Sequence, residues 1–216
     1  MGQLSLVKSL SHLKEEQSHA EEVRLDAAGI AFTRGSLAEM TGEPSAGKTS
    51  LALSLLAKLT QEGEVCAVAD ACDSFDPRSA HLAEVALENL LWVKCGGDLE
   101  KVFLAADYLV QAKGFGAIWL NLNGMPPGKL RYVPRTYWYR YRTRIKETPT
   151  LFLVTADEPV AGSVAQQSFR LAREQAVWSG QGKFKLLQEI QLSLQSRKEL
   201  YRAPRRTTVE ADYRDV

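Results

Sequence analysis

The chain has 216 residues, 45% of them hydrophobic and 25% charged, with a formal net charge of +1. That length suits one α/β domain with short extensions and is enough to bury a real core. The near-zero charge excludes a global field driving the whole surface onto nucleic acid or an anionic membrane, and no apolar run approaches the roughly 20 residues that span a bilayer.

Taken in chain order, residues 3–22 carry Leu4, Leu6, Val7, Leu10 and Leu13 among Lys, Glu and Ser. This spacing predicts an amphipathic helix rather than an apolar signal region, so an N-terminal helical unit is expected over 1–27. It could dock a partner or cover the edge of its own sheet. Gly29 and Thr33-Arg34-Gly35 mark turns, after which Ser36–Thr41 alternates like a short strand. It runs into Gly42-Glu43-Pro44-Ser45-Ala46-Gly47-Lys48-Thr49, a complete G-x-x-x-x-G-K-[ST] loop followed by Ser50. In such a loop the glycines let successive backbone N–H groups turn toward a polyphosphate. Lys48 supplies charge for the outer phosphates, and the Thr49 hydroxyl can ligate Mg²⁺. Leu51, Ala52, Leu55, Leu56 and Leu59 then recur at helical spacing up to Gly63, so the positive end of a helix faces the phosphates. The expected ligand is ATP or ADP with Mg²⁺, held by Gly42 to Ser50.

Val65–Asp70 reads as a second buried strand ending in an acidic turn, and Asp76-Pro77 as a helix cap with proline at the first position of a helix to about Glu88. Leu90–Val93 is a third strand, Gly96-Gly97 a break, and Asp98 the cap of a helix carrying Leu99, Val102, Phe103, Ala106 and Leu109. A fourth strand is expected at Ala117–Leu120, a loop around Asn123-Gly124 and Pro126-Pro127-Gly128, a helix from about Pro134 to Lys146, and a fifth strand at Thr150–Thr155. A helix is then predicted over roughly 164–177. Leu186–Gln195 alternates cleanly and pairs with Thr207–Tyr213 as an antiparallel edge ribbon. Apolar strands alternating with helices give the fold class: α/β, doubly wound, with a mainly parallel sheet. The expected division is the N-terminal helix (1–27), the nucleotide-binding core (28–180) and a C-terminal ribbon and tail (181–216). Cys66, Cys72 and Cys95 show no metal-ligand or redox spacing and read as reduced thiols of a cytoplasmic protein.

Over roughly residues 28–178 the chain resembles a RecA-family ATPase core. The likeness is carried by Arg34-Gly35-Ser36-Leu37, the phosphate loop, Glu62-Gly63 before a strand with Cys66-Ala67, and Asp70-Ala71-Cys72-Asp73-Ser74-Phe75-Asp76-Pro77. Compact size makes it similar to ImuA-type accessory proteins of bacterial translesion DNA synthesis. That resemblance implies RecA and a Y-family-like polymerase factor as partners.

The departures from the family pattern bear on catalysis. A RecA-like glutamate that orients water belongs two residues after Asp70, where this chain has Cys72. The aspartate of the magnesium shell belongs at the end of the fourth strand, where it has Asn121, or Leu122 under a one-residue shift. Near the phosphate-sensing glutamine it has Thr155-Ala156-Asp157-Glu158. Loss of a general base typically costs about 10²–10⁴-fold in rate, so at most a slow ATPase is expected. Two readings of the acidic turn stay open: Asp73 orients a water from a shifted position, or Asp76 caps a helix and its neighbours solvate the turn.

Family DNA-binding loops would correspond to Asn123–Tyr132, with Lys129 and Arg131, and to Asp157–Gly162, which is short and acidic. The segment 131–144 mixes arginines with aromatics, a composition for single-stranded DNA, for a protein interface, or for a helix whose aromatic face packs on the sheet. A second basic cluster, Arg197-Lys198, Arg202 and Arg205-Arg206, falls in the ribbon turn. The expected role is a nucleotide-binding adaptor in DNA damage tolerance. The alternatives are a DNA-stimulated ATPase of the recombinase type and a small-molecule kinase.

Overall fold

The computed structural model describes residues 21–179, 186–197 and 205–210. Most of the predicted N-terminal helix therefore lies outside the described residues, but the chain is already extended at β1 (Glu22–Leu25), which pairs antiparallel with β2 (Ile30–Thr33). Then come β3 (Leu37–Thr41), α1 (Lys48–Gln61), β4 (Cys66–Asp70), α2 (Pro77–Leu82), β5 (Leu90–Lys94), α3 (Leu99–Ala112) and β6 (Ala117–Asn121). The chain continues through α4 (Pro127–Leu130), α5 (Arg135–Ile145), β7 (Leu151–Ala156), β8 (Gln167–Ser179), β9 (Leu186–Ser196) and β10 (Arg205–Glu210).

Eight strands form one sheet in the order β10-β9-β8-β3-β7-β6-β4-β5. The six from β8 to β5 are parallel, and β9 and β10 extend the sheet as an antiparallel ribbon. The expected doubly wound, mainly parallel sheet with an antiparallel edge is the one observed. Central strands β3, β4, β6 and β7 are buried along their whole length, which is why β4, β6 and β7 read as apolar runs; β3, which the sequence shows as alternating, is buried on both faces as well. On one face α1 lays Leu51, Leu55, Leu56 and Leu59 against Met40, Val68 and Trp119. On the other, α3 and α5 bring Val102, Phe103, Trp138 and Tyr141 against Ile118, Leu120 and Phe152.

The helices begin where the sequence places their caps. The Asp76 carboxylate accepts from Arg78 N and Ser79 N, and Asp98 from Glu100 N and Lys101 N. The Ser79 and Arg78 bonds hold the Asp76 carboxyl below its usual range. α2 is shorter than expected, ending at Leu82; Glu84 takes a positive φ of 64° and a 3₁₀ turn follows at Leu87–Asn89.

One predicted element is wrong. The helix expected at 164–177 is the strand β8, and only Gly162–Val164 makes a helical turn, of 3₁₀ type. Two register shifts against β9, between Arg173 and Gln175 and between Val177 and Trp178, put the alternation out of phase. Bulges of this kind erase the period-2 signal from the sequence, and the need to pair the open side of β3 overrides local propensity.

With no helix between β7 and β8, the segment 157–166 must cross β3 as irregular chain, and its backbone donors need acceptors. Glu39, fully buried on β3, supplies them: its Oε1 accepts from Val160 N and Ala161 N, both at 2.7 Å, and its Oε2 from Ser168 Oγ at 3.3 Å. Arg197 lies 3.9 Å from Oε2. Replacing Glu39 by Ala strands two buried N–H groups, and we expect a loss of about 2–5 kcal/mol of stability. A denaturant midpoint lowered at unchanged m-value is the measurement; a midpoint within error of wild type would remove Glu39 from this role.

Candidate nucleotide-binding site

The loop 42–49 leaves the carboxyl end of β3 and enters α1, at the strand ends where open α/β sheets place their ligand crevice. Its conformation needs its glycines. Gly47 sits at φ 84°, and a Cβ there would collide with the Leu192 side chain of β9. A Cβ on Gly42 would collide with the Leu171 carbonyl of β8. Ser45 also takes a positive φ, 63°. Ala46 N donates to Glu43 O at 3.2 Å and Leu51 N to Gly47 O at 3.0 Å, closing the loop onto the helix. The N–H groups of the first helical turn have no carbonyl one turn back, so the loop presents donors with the positive end of α1 behind them.

Of the predicted site residues, Glu43, Pro44, Ser45, Thr49 and Ser50 are exposed, while Gly42, Ala46 and Lys48 are buried. Lys48 is only 4% exposed. Its ammonium donates to Gly42 O, to Glu43 O at 3.2 Å and to Asp157 Oδ1 at 2.7 Å. The partner Asp157 was legible in sequence only as part of an acidic loop. Strand register places it: Thr41 and Ala156 are paired neighbours, so the next residues of each strand, Gly42 and Asp157, leave the sheet side by side.

Next to the loop, the acids and amides of β4, β6 and β7 are engaged with one another. Buried Asp70 accepts from Phe75 N at 2.7 Å, Asn121 Nδ2 at 3.1 Å, Trp92 Nε1 at 3.3 Å and Ser74 Oγ at 3.3 Å. Asn121 Oδ1 accepts from Thr155 Oγ1 at 3.2 Å and Asn123 N at 3.2 Å. Thr155 Oγ1 in turn accepts from Trp119 Nε1 at 2.9 Å and Asn123 Nδ2 at 3.0 Å. Asp73 Oδ1 accepts from Cys95 N and Gly96 N, each at 3.0 Å. Of the structural reading of the acidic turn the cap holds, Asp76 capping α2; its neighbours do not solvate the turn, because Asp70 is fully buried and Asp73 ties the turn to the end of β5. Burial, with Asp70 and Asp73 nearby, pushes the Cys72 thiol up, so it is neutral and no base at pH 7. Cys66 is pushed up to about 12 by burial. No group of three or more His, Cys, Asp or Glu poised for a metal exists among the described residues.

The arginine-aromatic segment divides by helix face. Trp138, Tyr141 and Ile145 are buried, and Tyr141 OH donates to Phe103 O at 2.8 Å. Arg140 and Arg144 both pair with Asp107 at 2.8 Å. Arg135, Tyr139, Arg142 and Lys146 are exposed, and their spacing of four, three and four puts them on one stripe. Of the second basic cluster, Lys198 and Arg202 lie outside the described residues. No helix among the described residues is long and apolar enough to cross a membrane.

The sequence matches the RecA N-terminal domain family model over residues 5–121. The chain belongs to that family. It is 39% identical to the RecA protein of Rhodospirillum rubrum over 87 residues, covering 40% of this chain and 24% of that protein. With the RecA proteins of Francisella philomiragia and Borrelia hermsii the identities are 35% over 101 residues and 31% over 94. These take in 46% and 43% of this chain, and 28% and 26% of those proteins. The chain thus aligns with about a quarter of each RecA relative. The matched region ends at Asn121, at the end of β6.

The Asn121 amide is one of the four donors that satisfy the buried Asp70 carboxylate. In Asn121→Asp, two carboxylates would meet at the present 3.1 Å contact and share a proton that the unfolded chain would release at neutral pH. The native state then binds more protons than the unfolded one, so its stability rises as pH falls. We expect the variant to be less stable than wild type at pH 7 and the deficit to shrink by pH 5, measured by denaturant titration at both values. A deficit independent of pH would contradict this.

Proposed function

We propose that the chain binds ATP or ADP with Mg²⁺ at Gly42 to Ser50, hydrolyses it slowly or not at all, and acts as an adaptor in DNA damage tolerance. The observation that carries the reading is a complete phosphate cradle beside acids already spent on structure. The loop amides and Lys48 would hold the phosphates, with Thr49 on the metal. When bound, Mg²⁺ screens phosphate charge and lends its Lewis acidity. Asp70 gives both carboxylate oxygens to the chain, Cys72 is a neutral thiol, and Asn121 carries no charge. The resemblance to ImuA-type proteins supports a place in translesion synthesis, with RecA and a Y-family-like polymerase factor as partners, in the bacterial cytoplasm. It also supports the division into an N-terminal unit, core and ribbon.

Calorimetry with ADP and ATP should register binding that Lys48→Ala abolishes. Turnover with or without single-stranded DNA should stay below about 0.1 s⁻¹, against a median near 10 s⁻¹ for enzymes at large. Turnover of about 1 s⁻¹ or more, lost in Lys48→Ala, would favour the DNA-stimulated ATPase instead; phosphate transfer to a metabolite would favour the kinase.

The exposed stripe on α5 supports contact with single-stranded DNA. From Arg135 to Lys146 it spans about 16 Å of helix, with Tyr139 52% exposed between the cations and Tyr132 86% exposed just before the helix. Cations beside accessible rings can follow a phosphate backbone while bases stack. The double variant Arg135→Glu/Arg142→Glu should weaken binding of a labelled oligonucleotide at least about tenfold and flatten its salt dependence. Unchanged affinity would remove DNA from this surface.

A further inference from the structure

We infer that Asp157 makes this site select a nucleoside diphosphate over a triphosphate. The inference rests on the nucleotide-binding reading above and specifies its ligand. An ammonium has three N–H donors, and Lys48 gives them to Gly42 O, Glu43 O and Asp157 Oδ1. In a loop of this type the lysine serves the β- and γ-phosphates. A diphosphate seated on the loop amides can draw the donors now resting on Gly42 O and Glu43 O and leave the Asp157 contact in place. A triphosphate brings a further anionic group to the same ammonium, whose third donor is already given to the Asp157 carboxylate at 2.7 Å. It must then either displace Asp157 or sit against a like charge, and both weaken binding.

Two features hold the Asp157 backbone in place, so the carboxylate can leave Lys48 only by rotating its own side chain. Ala156 is the last paired residue of β7, in register with Thr41, so the Asp157 backbone is fixed beside the mouth of the loop. Three residues on, the chain is held again, with Val160 N and Ala161 N on the buried Glu39 carboxylate at 2.7 Å each. The Asp157 side chain is 25% exposed and that of Lys48 4%, so solvent screens the pair only in part.

The test is calorimetry of the full chain with ADP and with ATP, each with and without Mg²⁺, on wild type, Asp157→Asn and Lys48→Ala. Wild type should bind ADP at least about tenfold more tightly than ATP, a difference of about 1.4 kcal/mol. Asp157→Asn keeps the shape of the side chain and removes its charge. It should bring the two ligands within about threefold, chiefly by tightening ATP. Equal affinities in wild type would overturn the inference even if the variant failed to fold. So would an Asp157→Asn variant with an unchanged ratio, or one that loses Mg²⁺-dependent affinity, which would make Asp157 a metal ligand. Tight binding of both nucleotides without discrimination leaves the nucleotide site standing, whereas no binding of either removes both readings.

Discussion

A buried ammonium needs acceptors, and Lys48 finds all three within its own chain. Two are carbonyls of the loop it sits in, and the third is a carboxylate delivered by the neighbouring strand. That arrangement depends on β3 lying between β7 and β8 in a parallel sheet. β7 brings Asp157 to the carboxyl edge, and β8 brings the Leu171 carbonyl against Gly42. β9 then lays Leu192 over Gly47, so the ribbon is part of the wall of the cradle. A larger residue at Gly42 would have to move the backbone of β8, whereas at Gly47 it would displace the Leu192 side chain and take a strained positive φ.

The same edge of the sheet commits its polar side chains to one another. Asp70, Asn121 and Thr155 stand at the ends of three adjacent strands in matched register, where a nucleotide would be read. Each is bonded to its neighbour, and Trp92, Trp119, Ser74 and Phe75 complete the set. A network this interconnected resists rearrangement, although the buried Asn123 Oδ1 at its margin has no partner among the described residues. Freeing Asp70 to orient water would strand the buried Phe75 N–H, at about 1–3 kcal/mol, and break its bonds to Asn121, Trp92 and Ser74.

Local chemistry made much of this legible in sequence. The glycine-rich loop, the Asp76 and Asp98 caps, the short strand β3 and the apolar runs of β4, β6 and β7 are carried by neighbouring residues, and each forms where expected. β8 was not legible because its bulges break the alternation, and because its partners, β3 and β9, are defined by topology rather than by proximity in the chain. The meeting of Asp157 with Lys48 spans more than a hundred residues and exists only once Thr41 and Ala156 are in register. Nothing near Glu39 in the chain marks its role, because the donors it serves, Val160 N and Ala161 N, are more than a hundred residues away.

If the crevice grips polyphosphate while its acids stay committed to the fold, a crystal structure with ADP and Mg²⁺ will show both. The β-phosphate should rest on the amides of residues 42–49, with Lys48 Nζ bonded to it and to Asp157, and Asp70 still bonded to Asn121 at about the present 3.1 Å. A nucleotide bound elsewhere, or Asp70 turned out of its network to hold a water against the phosphates, would contradict it.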